Sequence, residues 1–338
     1  MIVIACDKFK GTLTALEACE AIRSGLVAAG VTEEIQLWPM ADGGEGTAEI
    51  LGSERTIESS KIVGFSNFSA ATLLIDRSSF ALGRALIEQT AQLADGQPLY
   101  LGIGGTAIAD GGSGLLQALG YRFYDSNGEL IAEPMTPRLL SSVSRIELPD
   151  SREVTDRIRS RVRLLVDVEA SLLPSPESPL STMDFTRQKG ADGAQDAIIL
   201  TGLQRLKSLF PADCRSQFDG AGGALGFALA SVIGCPAEFG AKTLFDRYLA
   251  AAVQFPRIVI TGEGQLDAQT RGGKVVDYIN RWGAARSIPV VTLAGRLSGP
   301  APYPHAFSAV TNSSCCPSPA EAAASLRCLA STLADSLK

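Results

Sequence analysis

Short apolar runs, each closed by a turn rich in glycine or aspartate and followed by a stretch of helical period, recur along this chain of 338 residues. Ile2 to Ala5 leads through Asp7-Lys-Phe-Lys-Gly-Thr12 into Ala15 to Ala28, where Leu16, Cys19, Ala21, Ile22 and Leu26 fall mostly on one helix face. Ile35 to Trp38 precedes a second glycine turn and a helix from about Gly46, and Leu99 to Ile103 precedes a third turn and the helix Gly112 to Leu119. Leu164 to Val168 reads as a strand. Arg257 to Ile260 leads through a further turn to the helix Lys274 to Ala285 and the strand Pro289 to Leu293. Strands spaced by helices in this way pair in parallel and are covered by their crossovers, so an α/β fold with mainly parallel sheets is expected.

With 46% hydrophobic and 20% charged residues, the chain has enough apolar surface for about two domains. The net charge of -6 carries no basic stripe, which argues against a nucleic-acid partner, and Arg152 to Arg163 alternates with acids as a solvated helix face does. Seven cysteines show no paired C-x-x-C spacing, so neither a zinc module nor a disulfide framework is expected. Met1 to Asp7 lacks a basic n-region and no apolar run approaches membrane-spanning length, so a cytoplasmic protein without a membrane partner is expected. His305 is the only imidazole, in a proline-rich loop. Acid and base chemistry therefore falls to carboxylates and lysines.

Three segments set acids among glycines: Ala41-Asp-Gly-Gly-Glu-Gly-Thr47, Gly102 to Gly114 with Asp110 inside it, and Thr261-Gly-Glu-Gly-Gln-Leu-Asp267. Glycine lets backbone amides approach phosphate oxygens, and carboxylates suit a hard cation such as Mg²⁺. Each segment is expected as a turn at the carboxyl end of a strand, where open parallel sheets bind ligands. Phosphoryl transfer needs a metal, cationic clamps, backbone amides and a carboxylate to take the hydroxyl proton. Asp42, Glu45, Asp110, Glu263 and Asp267 are candidate metal or base carboxylates, and Lys8, Lys10, Lys189 and Lys274 candidate clamps. No G-x-x-x-x-G-K-[ST] sequence is present, and the spacing at Gly102-Ile-Gly-Gly-Thr106 fails the dinucleotide fingerprint. Gly220-Ala-Gly-Gly-Ala-Leu-Gly226 opens an apolar helix, either to meet an anion or to allow close packing.

These residues together resemble the bacterial glycerate kinase family. The matching stretches are Asp7-Lys-Phe-Lys-Gly-Thr-Leu-Thr-Ala15, Ala41 to Thr47, Gly104-Gly-Thr106 with Asp110 to Gly120, Gln188-Lys-Gly-Ala191, Gly220 to Gly226, and Thr261 to Gln269 with Gly273-Lys-Val275. The resemblance implies ATP-dependent phosphorylation of D-glycerate, or a closely related hydroxy acid, with Mg²⁺. It also implies two α/β domains with the active site in the cleft between them: a Rossmann- or flavodoxin-like domain from residues 1–62 and 288–338, and an inserted domain from 63–287. By carry-over, Asp42, Asp167, Lys10 and Lys189 are the catalytic candidates. Gly43, Gly44, Gly104, Gly105, Thr106, Gly111, Gly112, Gly222 and Gly223 are candidates for nucleotide binding, and Glu45, Asp110, Glu263 and Asp267 for the metal. A homodimer is left open. The family's Asn before Asp-Gly-Gly is Ala109 here, its Asn-Pro-Leu is Ala170-Ser-Leu172, and residues 66–96 are compressed. These departures motivate one alternative, a non-catalytic homologue that binds a small acid or nucleotide; a third reading is a metal-dependent phosphohydrolase using the same acids on water.

Overall fold

The computed structural model describes residues 1–266, 274–297, 303–310 and 317–337. Its strands in chain order are β1 (Ile2–Cys6), β2 (Ile35–Leu37), β3 (Thr56–Glu58), β4 (Leu99–Gly102), β5 (Arg122–Asp125), β6 (Val143–Glu147), β7 (Val162–Val166), β8 (Ala237–Phe239), β9 (Ile258–Leu266), β10 (Val290–Leu297) and β11 (Ala306–Val310). The chain divides into two units. One comprises 1–42, 49–51 and 239–338, the other 43–48 and 52–238. The return to the first unit thus comes at Phe239, not at 288 as expected. The reason is that β9 pairs in parallel with β1, from Ile2 opposite Ile258 to Cys6 opposite Gly262.

The first unit carries a five-stranded parallel sheet in the order β11-β10-β9-β1-β2. Every residue of β1 is buried, as a central parallel strand covered on both faces must be. Ile2, Ile4 and Cys6 pack with Ile22 and Leu26 of the helix α1 (Ala15–Ala28) and with Leu326 and Ala330 of the helix Pro319–Leu337. Thr14 caps α1 by accepting from the Glu17 backbone N–H, and the Glu17 carboxylate accepts from Thr14 N–H in return. From β1 the chain moves outward to β2, whereas from β9 it moves the opposite way to β10 and β11. The carboxyl ends of β1 and β9 therefore flank the point where strand order reverses, the position at which open α/β sheets leave a crevice.

The second unit has a four-stranded sheet, β3-β4-β7-β8, in which β3, β4 and β7 run parallel, and a separate antiparallel pair of β5 with β6. Helix Phe80–Gln92 packs on the short helix Ser113–Ala118 beside this sheet. The loop from Gly43 is threaded into the ends of its strands. A Cβ at Gly43 would lie 2.7 Å from the Leu165 carbonyl oxygen, and one at Gly102 would lie 2.1 Å from the Gly43 carbonyl oxygen. With φ at +99°, Gly43 also holds a backbone conformation that side chains disfavour. Glycine is required at these positions for close passage of main chains.

Candidate active site

In the first unit three carboxylates gather at the strand ends. Asp7 follows β1 directly, and its N–H donates to the Gly262 carbonyl at 2.9 Å, one step before Glu263 on β9. Asp42 follows β2 by way of Trp38 and Met40, whose N–H groups donate to Ile4 and Cys6. Asp7 is buried, and its Oδ1 accepts from Lys8 N–H at 2.7 Å. Burial, then the Asp42 charge, and to a smaller degree that of Glu263, push its carboxyl up to about 8. Asp7 was not singled out from the sequence. The signal was there: an acid placed directly at the end of an apolar strand that begins a βα unit.

Across the window from about pH 4 to 8, folded Asp7 keeps a proton that the unfolded chain has released. Its contribution to stability therefore falls as pH rises. Asp7→Asn is expected to unfold at higher urea than the unsubstituted chain at pH 8, with the gap closing at pH 5. An equal shift at both pH values would contradict the like-charge cluster.

The third acidic glycine segment is strand, not turn. β9 continues through Thr261-Gly-Glu-Gly-Gln-Leu266, with Glu263 opposite Ala294 and Gln265 opposite Arg296 of β10. Neighbouring backbones explain the glycines, since a Cβ at Gly262 would stand 2.3 Å from the Leu293 carbonyl oxygen. Glu263 is nevertheless at the strand-end cluster, while Asp267 lies outside the described residues. Among the described residues no three acidic, histidine or cysteine side chains converge into a metal cage. Mg²⁺ ordinarily needs only one or two carboxylates together with waters and phosphate oxygens. Asp42 and Glu263, whose charges already raise the proton affinity of Asp7, fit that requirement.

In the second unit a buried cation faces a carboxylate. Lys189, in the turn Arg187–Lys189, is 7% exposed, and its ammonium donates to the Ile108 carbonyl at 2.9 Å and to Thr106 Oγ1 at 3.3 Å. An ammonium has three donors, and its third proton meets no acceptor among the described residues. Burial lowers its pKa to about 8, against the opposing pull of Asp167 and Asp110, and Arg77 lowers it further. Asp167 follows β7, and its Oδ2 lies 3.4 Å from where a Cβ at Gly104 would stand, a position also 3.0 Å from Gly44 Cα. The carboxyl ends of β4 and β7 thus bring together Lys189, Asp167, Thr106, Gly44 and Gly104. Gly105 is the exposed tip of the same turn, 3.2 Å by its absent Cβ from Ser60 Cβ.

Other expected site residues have different surroundings. Asp110 is fully buried: Oδ2 accepts from Ser79 N–H at 2.8 Å, Ser79 Oγ at 2.7 Å and Gly114 N–H at 3.2 Å, and Oδ1 accepts from Gly112 N–H at 3.1 Å. Four donors on one carboxylate make it an anchor of the loop rather than a metal ligand. Burial raises its pKa, and the donors pull it back. A Cβ at Gly111 or Gly112 would meet Leu203, Leu206 and Ala228 in the interior, so packing accounts for the absence of side chains there. Glu45 and Lys10 are exposed, and Lys8 and Lys274 half-buried. Gly222, Gly223 and Ala224 form no regular helix start: all three are left-handed, with φ of 65°, 75° and 66°, and a π-helical turn follows at Phe227–Ile233. A Cβ at Gly223 would lie 2.0 Å from the Ile108 carbonyl oxygen and 3.0 Å from Lys189 Nζ, so this strained turn forms part of the wall around the lysine.

The sequence reading also missed Glu58. Its Oε1 accepts from Gly46 N–H at 3.0 Å and Ala48 N–H at 2.8 Å, and its Oε2 pairs with Lys61 at 2.9 Å. One amide of the first acidic glycine loop and one of the helix Thr47–Leu51 that follows are thereby taken by a buried carboxylate, which fixes the end of the loop. Ala109 and Ala170, which stand in place of family asparagines, are both fully buried.

Comparison with known proteins identifies the family and the fold. The family model described as "Glycerate kinase family" matches residues 2–58 and 52–337. The glycerate kinase of Bacillus cereus is 30% identical over 340 residues, 88% of this chain and 85% of that protein. That of Neisseria meningitidis is 27% identical over 325 residues, with shares of 88% and 85%. A crystal structure of a putative glycerate kinase 2 from Salmonella typhimurium superposes with a TM-score of 0.76 at 27% identity, over 99% of this chain and 97% of that one. The chain, a two-unit α/β kinase, belongs to the glycerate kinase family.

Proposed function

We propose that this protein transfers the terminal phosphoryl group of ATP, held with Mg²⁺, to a hydroxyl of D-glycerate, giving phosphoglycerate and ADP. The observation that carries this reading is the buried Lys189 ammonium, which feels the Asp167 charge and has one proton not given to Thr106 or Ile108. A buried point charge of this kind stabilises a transferring phosphoryl group far more than an exposed one does. Asp167, at the end of β7 and next to glycine backbone, would orient and deprotonate the acceptor hydroxyl. Asp42 and Glu263 would supply oxygens to Mg²⁺, which when bound would neutralise phosphate charge. Lys10 is solvent-exposed and suits a long-range clamp on an anionic ligand. Thr106 and the backbone at Gly43, Gly44, Gly104 and Gly105 support the phosphates.

Five cysteines, Cys6, Cys19, Cys214, Cys235 and Cys328, are free thiols, which supports a reducing compartment such as the cytoplasm. No described helix is long and apolar enough to cross a membrane. A coupled ADP-release assay over a panel of small hydroxy acids tests the substrate: D-glycerate is expected to give the highest kcat/KM. No acceleration by D-glycerate over the acid-free rate would overturn the assignment.

A further inference from the structure

The compressed segment 66–96 ends its loop portion in a guanidinium that reaches three stretches of main chain. Arg77 Nε and Nη2 donate to the Thr72 carbonyl at 3.2 and 2.9 Å, folding the segment onto itself. Nη1 donates to the Ala107 carbonyl at 3.1 Å and to the Lys189 carbonyl at 3.4 Å. The cation also lies 5.3 Å from the centre of the Phe68 ring, and the neighbouring Asp76 is gripped by Arg138 at 2.6 and 3.0 Å. Ala107 stands between Thr106 and Ile108, the two acceptors of the Lys189 ammonium. One guanidinium therefore fixes both sides of that contact: the backbone of the lysine and the residue between its acceptors.

We propose that Arg77 is a positioning residue for phosphoryl transfer, holding Lys189 in register with residues 106–108 and so setting where the ammonium meets its anionic ligand. The inference rests on the reading of Lys189 given above. A lysine at 77 would retain the charge but not the planar fork that reaches three carbonyls at once. The charged groups facing Lys189 are Asp167 beyond β7, Asp110 in the loop after β4, and Arg77 itself; the two carboxylates favour its proton and Arg77 opposes it.

The test uses the full chain as Arg77→Lys and Arg77→Met, with kcat followed across pH, and with the Lys189 ammonium titrated directly by NMR on ¹³C-lysine protein. Arg77→Lys is expected to lose about tenfold in kcat with the lysine titration unmoved, because geometry fails while charge stays. Arg77→Met is expected to lose as much and to move both the Lys189 titration and the alkaline limb of kcat upward, since removing a neighbouring cation favours the protonated lysine. Wild-type kcat in Arg77→Lys, or an unmoved Lys189 titration in Arg77→Met, would overturn the proposal. Should the methionine variant fail to fold, kcat of the lysine variant decides. If the unsubstituted chain does not turn over glycerate, the substrate reading falls, whereas the titration still judges Arg77.

Discussion

Lys189→Met is expected to lower kcat by about 10² to 10³, the scale of losing one preorganised charge stabiliser in a water-excluded site, with no loss of thermal stability at pH 7. The two halves of this result have one cause. Burial holds the ammonium at about 8 against an ordinary 10.5, so its charged form is disfavoured in the folded chain. Between about pH 8 and 10.5 the folded state has given up a proton that the unfolded chain retains, and the stability attributable to this group rises with pH through that window. At pH 7 the burial cost is present in full, about 3 kcal/mol from that gap, and methionine of similar length removes it. The lost donor to Ile108 and Thr106 costs about 1 to 2 kcal/mol in return. Steady-state kinetics with thermal melts at pH 7 check both parts. Retained turnover would remove Lys189 from the chemistry, and a clear drop in melting temperature would show that it serves mainly to hold the fold.

The opposite pattern is expected at Asp110. Asp110→Ala leaves Ser79 N–H, Ser79 Oγ, Gly112 N–H and Gly114 N–H without their common acceptor in a fully buried site. Several unsatisfied buried donors together cost about 3 kcal/mol or more, a large share of the roughly 5 to 15 kcal/mol available to a folded protein. Urea denaturation is expected to show that loss, while the fraction that remains folded keeps its dependence on Mg²⁺ concentration. A stable variant with a shifted Mg²⁺ requirement would return Asp110 to the metal.

Much of the fold was legible because its signals are local. The helix at 15–28 follows from one apolar face and a Thr-x-x-Glu cap, and β1, β4 and β10 follow from apolar runs that need cover on both sides. What misled were the glycines. At Gly262 and Gly264 they read as a turn, yet the strand runs on because β10 lies alongside to pair with it. At Gly222 and Gly223 they read as a helix start, yet the main chain is left-handed there and passes so close to Ile103 and Ile108 that no side chain would fit. Both outcomes depend on a neighbour distant in sequence.

The site divides in the same way. Asp42 and Glu263 were readable as acids beside glycines, and Lys189 as a lysine beside one, whereas Asp167, flanked by valines, came only from the family resemblance. Whether a given acid meets ligand or structure was not readable, because it depends on which donors surround it. Asp110 and Glu263 sit in similar glycine-rich words, but the first is saturated by four donors and the second lies at the reversal of strand order. Asp7 and Glu58 escaped notice for the converse reason: each is a single acid whose importance comes from what folds against it.

Phosphoryl transfer to glycerate is to be followed by ³¹P NMR of the purified chain with ATP, Mg²⁺ and D-glycerate. A new phosphomonoester resonance growing in step with ADP is predicted, its coupling pattern showing which hydroxyl was modified. ATP converted to ADP and inorganic phosphate alone, or left intact, would contradict the claim.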